Sequence, residues 1–141
     1  MSGFTITRRV AFSETDAAGL MHFTRYFVWM EDTEHALLRS LGESVHTTDE
    51  QGQRLFPRVA VHAEYASPLR FEDLVDVTIS VRKRSTRSIT YAFTFQRQGD
   101  DKPCATGHVV AVCSRSVDGK VSAAPIPARF AAALDALLET P

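Results

Sequence analysis

Apolar and polar residues alternate at period two from Phe4 to Phe12. Phe4, Ile6, Val10 and Phe12 share one face while Thr5, Thr7 and Arg9 take the other, which predicts a half-buried strand. The small and polar run Ser13–Gly19 breaks that pattern and reads as a loop. From about Thr24 to Leu41 the period becomes helical. Tyr26, Met30, Leu37 and Leu41 fall on one side, Phe27, Ala36 and Leu38 beside them, and Val28 and Trp29 extend the apolar surface nearly all round the first turns. Such a helix is expected to be buried. Thr24 suits its N-cap and Gly42 its C′ position, and Glu31, Asp32, Glu34, His35 and Arg39 form a polar stripe. Four strand-like runs follow, around Val59–Tyr65, Val75–Arg82, Tyr91–Phe95 and Ala105–Arg115, with turn signals at Gly99-Asp100-Asp101 and Asp118-Gly119. Pro127 to Leu138 reads as a short helix opened by proline.

One buried helix and about five antiparallel strands make an α+β domain, expected to occupy all 141 residues. The simplest packing curls the sheet around the helix. A sheet of that size covers one side only, so the remaining apolar surface and the free edge strand call for a second copy. The formal net charge of -1 argues against nucleic acid as the main partner. No charged-then-apolar leader and no run of 18 apolar residues is present, so neither secretion nor a membrane span is expected. Cys104 and Cys113 read as buried free thiols and the cytoplasm as the default compartment.

The chemistry concentrates between Phe12 and Tyr26. Asp16 lies in a small-residue loop just ahead of the buried helix, whose first turn carries unpaired N–H groups and partial positive charge. Such groups hold the oxyanion that forms during acyl transfer, and Ala17-Ala18-Gly19 permits close approach to the backbone. A carboxylate beside an oxyanion site suffices to hydrolyse a thioester, by direct attack or by deprotonating water. No Gly-x-Ser-x-Gly elbow offers another route.

The segment Asp16-Ala17-Ala18-Gly19, followed by Tyr26, Trp29-Met30-Glu31 and Leu38–Gly42, resembles the 4-hydroxybenzoyl-coenzyme A thioesterase family of hotdog proteins. The likeness runs from about Thr7 to Arg115 and includes Tyr65–Asp73 and Arg87-Ser88-Ile89-Thr90. It implies a hotdog fold, an antiparallel five-stranded sheet wrapped around a long central helix, and acyl-coenzyme A hydrolysis. It implies Asp16 as nucleophile or base, the Phe23 backbone N–H as the group polarising the carbonyl, and Gly19 as the residue shaping the loop. It also implies active sites at dimer interfaces, with dimers often pairing into tetramers. One branch of the family carries His where Phe23 stands, so that histidine has no counterpart here, and His22 is a candidate by proximity alone.

Arg82, Lys83, Arg84 and Arg87, with Ser88, sit at a strand turn. They read either as a solvated hairpin or, as the resemblance implies, as a landing site for the phosphates of coenzyme A, which is part of the substrate and not a separate cofactor. Met21, Phe27, Met30, Val59, His62 and Tyr65 are candidate pocket liners that suit an aromatic or a short-to-medium aliphatic acyl group. No His/Cys/Asp/Glu set has metal-ligand spacing, so no metal is expected. Two further functions compete. An enoyl-thioester hydratase would pair Asp16 with His22, although its Asp-x-Asn-Pro pattern is missing, and a non-catalytic acyl-coenzyme A binder would have no use for Asp16.

Overall fold

The computed structural model describes residues 3–139. Five strands form one antiparallel sheet. These are β1 (Phe4–Arg9), β4 (Arg58–Tyr65), β5 (Leu74–Arg84), β6 (Ser88–Arg97) and β7 (Ala105–Val112), in the order β1-β5-β6-β7-β4. Helix α1 (Arg25–Ser40) lies across the concave face. The alternation seen in sequence explains why. Val75, Val77, Ile79 and Val81 of β5 are fully buried, and Ile89, Tyr91, Phe93 and Phe95 of β6 continue the same layer beneath Trp29, Met30, Leu37 and Leu38 of the helix. This is the α+β hotdog arrangement.

Close approach of helix and sheet depends on Gly107 in β7. A Cβ there would fall on the terminal methyl of Met30 and lie 2.8 Å from the His62 carbonyl oxygen. Helix α2 (Ala128–Asp135) closes one end of the core with Phe130 and Leu134, and Phe130 packs edge-on against Phe56 at 5.6 Å. β1 pairs with β5 only as far as Ile79. Beyond it the C-terminal segment takes over, with Val81 N–H donating to Leu137 O and Glu139 N–H to Val81 O.

The structure departs from the sequence reading in several places. The first strand ends at Arg9, and Phe12–Glu14 form a 3-10 turn, so Phe12 is 76% exposed and meets Phe71 edge-on instead of entering the core. The expected strand Ala105–Arg115 is two strands, bent at Cys113, because β8 (Ser114–Val117) leaves the main sheet. β8 joins β2 (His46–Asp49), β3 (Gly52–Leu55) and β9 (Lys120–Ala123) in a second antiparallel sheet ordered β2-β3-β8-β9. That sheet is an outgrowth of the first, since β3 runs on into β4 through Phe56-Pro57 as β7 runs on into β8. Its strands are short and polar, so no hydrophobic period announces them. The turn after β8 uses positive φ at Asp118 and Gly119, as that dipeptide signals. Thr24 stands at the helix start, but its side chain does not cap the backbone. Glu34, expected on the polar stripe, is buried, and Val28, expected in the core, is 40% exposed. Among the described residues no helix is long and apolar enough to cross a membrane.

Candidate active site

The link between β1 and α1 is held at nearly every residue. From Glu14 to His22 the chain doubles back as a small hairpin. His22 N–H donates to Glu14 O at 2.8 Å, Thr15 lies opposite Met21, and Asp16 N–H donates to Leu20 O at 2.7 Å. The returning arm is clipped to the body of the protein by Met21 N–H to Leu69 O at 2.7 Å and by the pairing of Leu20 with Arg70. Ala17-Ala18-Gly19 form the tip. Gly19 closes it by donating to Asp16 O at 3.0 Å with φ of +81°, a conformation glycine adopts without strain.

This hairpin presents the Asp16 carboxylate. Its Oδ1 accepts the amides of Ala18 at 2.9 Å and Leu20 at 3.1 Å, and its Oδ2 has no protein donor among the described residues. Asp16 lines a cleft of about 300 Å³ together with Leu20, Met21, Phe23, Tyr26, Tyr65, Ser67 and Pro68. The Tyr65 hydroxyl donates to Phe23 O at 2.9 Å and its ring packs edge-on against Tyr26 at 4.8 Å, which fixes the turn entering the helix. Burial raises both tyrosine hydroxyls above their ordinary value, so each remains a neutral donor near pH 7.

The amides around the helix start divide clearly. His22 N–H goes to Glu14 O, Thr24 N–H to His22 Nδ1 at 3.2 Å, and Arg25 N–H to His22 O at 2.9 Å. The Phe23 N–H has no protein acceptor among the described residues. Asp16 and Phe23, the residue whose amide is unengaged, thus border one cleft, and a carboxylate with a free backbone donor is the pairing that addition to a carbonyl group requires.

The other sequence candidates are placed differently. His22 does not border the cleft. Its Nδ1 lies 2.7 Å from Thr24 Oγ1 and its ring stacks on Phe23 at 4.6 Å, so it organises the helix start. Arg82, Lys83, Arg84, Arg87 and Ser88 lie at the far end of β5 and β6. Ten residue steps along β5 separate Arg84 from Leu74, which follows four residues after the Arg70 that pairs with the Asp16 loop, and correspond to about 30 Å. One chain therefore does not bring this cluster to Asp16. Arg84 is moreover engaged with Asp135 at 2.6 and 2.7 Å, Ser88 Oγ bonds to Ser85 Oγ at 2.7 Å, and Arg82 borders a hollow on the outer face of the sheet. Of the expected pocket liners, Met21 and Tyr65 border the Asp16 cleft. Phe27 and Met30 border a second hollow of about 220 Å³ between α1 and β4, with Glu34 and Arg58, and Val59 borders neither. His62 faces the outer side of the sheet, because residues on a strand alternate. The bond from Trp29 to Glu14 was not legible, since the two lie 15 residues apart. Among the described residues no group of three His, Cys, Asp or Glu could hold a metal ion.

The sequence signature of the thioesterase-like superfamily matches residues 10–134, and the chain belongs to that family. Its enzyme class is thioester hydrolase, and the family likeness read from the Asp16 loop holds. A 1,4-dihydroxy-2-naphthoyl-CoA hydrolase of Prochlorococcus marinus (strain NATL2A) is 30% identical over 102 residues, 67% of this chain and 66% of that enzyme. The structure of a gentisyl-coenzyme A thioesterase superposes with a TM-score of 0.77 at 29% identity, covering 91% of this chain and 99% of that one. The fold of a 1,4-dihydroxy-2-naphthoyl-CoA thioesterase from Synechocystis matches more closely in shape, with a TM-score of 0.84 at 20% identity over 94% of this chain and 96% of the other.

Proposed function

We propose that the chain hydrolyses acyl-coenzyme A thioesters, with Asp16 as nucleophile or general base and the Phe23 N–H as the donor to the oxyanion. The observation that carries this reading is that Asp16, with its Oδ2 free, and Phe23, with its amide unengaged, line one cleft. In the general-base form, Asp16 takes a proton from water as the water oxygen adds to the thioester carbon. The carbonyl oxygen gathers negative charge against the Phe23 N–H. The tetrahedral adduct then collapses, breaking the C–S bond, and the departing thiolate recovers a proton. In the nucleophilic form, Oδ2 adds first and water then hydrolyses the mixed anhydride. Asp16 and His22 do not share the cleft, which disfavours the hydratase reading.

The acyl group we favour is a hydroxylated aromatic ring, the kind named for the naphthoyl and gentisyl relatives. The aromatic wall of Phe23, Tyr26 and Tyr65 suits such a ring. The working unit in this reading is a homodimer. β4 is an edge strand with Val59 63% and Val61 52% exposed, and Val28 of α1 is exposed as well. Antiparallel pairing of β4 with its copy about a two-fold axis sets the Asp16 end of one protomer beside the basic-hairpin end of the other. The hairpin strands then lie two to three strand spacings, about 10–14 Å, from the joining edge. That is how Lys83 and Arg87 would reach the nucleotide of a coenzyme A bound by the partner. Free, buried Cys104 and Cys113 accord with a reducing, cytoplasmic setting.

The test is hydrolysis of a panel of aryl- and alkyl-coenzyme A esters followed with a thiol reagent. Asp16→Asn and Asp16→Ala are expected to lose about 10²–10⁴-fold in kcat. Hydrolysis at the wild-type rate in either variant would falsify the role of Asp16.

A further inference from the structure

Both carboxylate oxygens of Glu14 are engaged, yet Glu14 does not border the cleft. Its Oε2 accepts the indole N–H of Trp29 at 2.7 Å and its Oε1 accepts the amide of Ala11 at 2.9 Å. Its carbonyl oxygen accepts His22 N–H, the first rung of the hairpin that carries Asp16. Trp29 is fully buried in α1, and the Arg8 guanidinium lies over its ring at 5.3 Å while pairing with Asp32. One residue therefore ties the root of the Asp16 hairpin to the segment that follows β1, to the second turn of α1 and to the turn that enters that helix.

We infer that the Glu14–Trp29 contact is a strut that sets the Asp16 carboxylate against the Phe23 amide, making Glu14 a positioning residue for hydrolysis. The inference rests on Asp16 being the reacting carboxylate. The chemistry of the pair leaves no second arrangement. An ionised carboxylate only accepts and an indole only donates, so neither partner can reverse its role. Glutamine cannot replace glutamate here, because its single oxygen serves one of the two donors and its NH₂ group then faces the other. Asp16 stands two residues from Glu14 and Phe23 six residues ahead of Trp29, so a shift along this contact moves the reacting carboxylate relative to the oxyanion donor. A displacement near 1 Å at a reacting centre costs about 10²-fold in rate.

The test compares kcat and KM of wild type, Glu14→Gln, Trp29→Phe, the Glu14→Gln/Trp29→Phe double variant and Asp16→Asn on one aryl-coenzyme A ester. Thermal unfolding of each is recorded as a check on the fold. Both single variants are expected to lose about 10–100-fold in kcat. KM should stay within about threefold, because neither Glu14 nor Trp29 borders the cleft. The double variant should be no worse than the weaker single, because both remove one contact. Trp29 is the sole tryptophan, so its indole N–H resonance in Glu14→Gln reports loss of the bond directly. Should Glu14→Gln not fold, Trp29→Phe, which keeps a ring in the core, carries the comparison. Wild-type kcat in both single variants, or losses that multiply in the double variant, would overturn the strut while leaving Asp16 in place. Undiminished turnover by Asp16→Asn would overturn both readings together.

Discussion

Glu34 lies among apolar side chains of α1, β6 and β7, and among the described residues only the Arg58 guanidinium pairs with its charge. Arg58 Nη1 donates to Oε2 at 3.2 Å and Nη2 contacts Oε1, while Glu31 approaches the same guanidinium at 3.8 Å. Burial outweighs the pull of Arg58 and pushes the Glu34 carboxyl up to about 7 from an ordinary 4.5. The native state therefore holds this proton more tightly than the unfolded chain. The stability it contributes is complete below about 4.5 and is lost as pH rises through about 7. Thermal unfolding is expected to show Tm declining between pH 5 and 8, with Glu34→Gln flattening that slope. An unchanged slope in the variant would assign the effect to other groups. The sequence placed Glu34 on a polar stripe because helical spacing reports which residues share a side, not which side a sheet will cover. Asp16 was legible for a different reason: small residues and a helix start on the same short segment define its surroundings locally.

At the scale of elements, the strands of the main sheet and the long helix follow from periodicity, because each buries one face over many residues. What periodicity omits is how closely two elements approach. Gly107 reads as an unremarked residue in a valine-rich strand, yet it admits Met30 onto the sheet. Gly107→Ala is expected to destabilise the fold by about 1–3 kcal/mol, since both Met30 and the His62 carbonyl must give way. Denaturant unfolding measures this, and a variant as stable as wild type would show that α1 has slack against β7. The second sheet was not legible at all. His46–Leu55 carries few apolar residues, so the β2–β3 hairpin is held because β8 supplies partners for the backbone groups of β3, a long-range condition.

For the whole molecule, the open flank is the decisive feature. β4 pairs with β7 on one side only, and β1 bounds the other end of the sheet. Among the described residues, Val59 and Val61 leave an apolar stripe on the β4 edge beside the hollow between α1 and β4. Val61→Glu would bring like charges together near a two-fold axis formed by β4 and its copy. Sedimentation or light scattering is expected to show a dimer for wild type and a monomer for Val61→Glu. The monomer should remain folded by circular dichroism and lose acyl-coenzyme A hydrolysis. A fully active monomer would refute the composite site. The basic hairpin belongs to this scale too, because nothing local reveals that Arg84 is engaged with Asp135 or that 30 Å of strand separates it from Asp16.

By itself the sequence determined the fold class, the main strands and helix, and the loop carboxylate, because each is written in neighbouring residues through period, turn chemistry and proximity to a helix start. The tertiary structure alone decided which amide at that start remains unengaged, that Glu34 is buried and Phe12 is not, and that Glu14 reaches Trp29. Those outcomes depend on partners brought together from distant parts of the chain, and the identity of a residue does not encode what the fold will place against it.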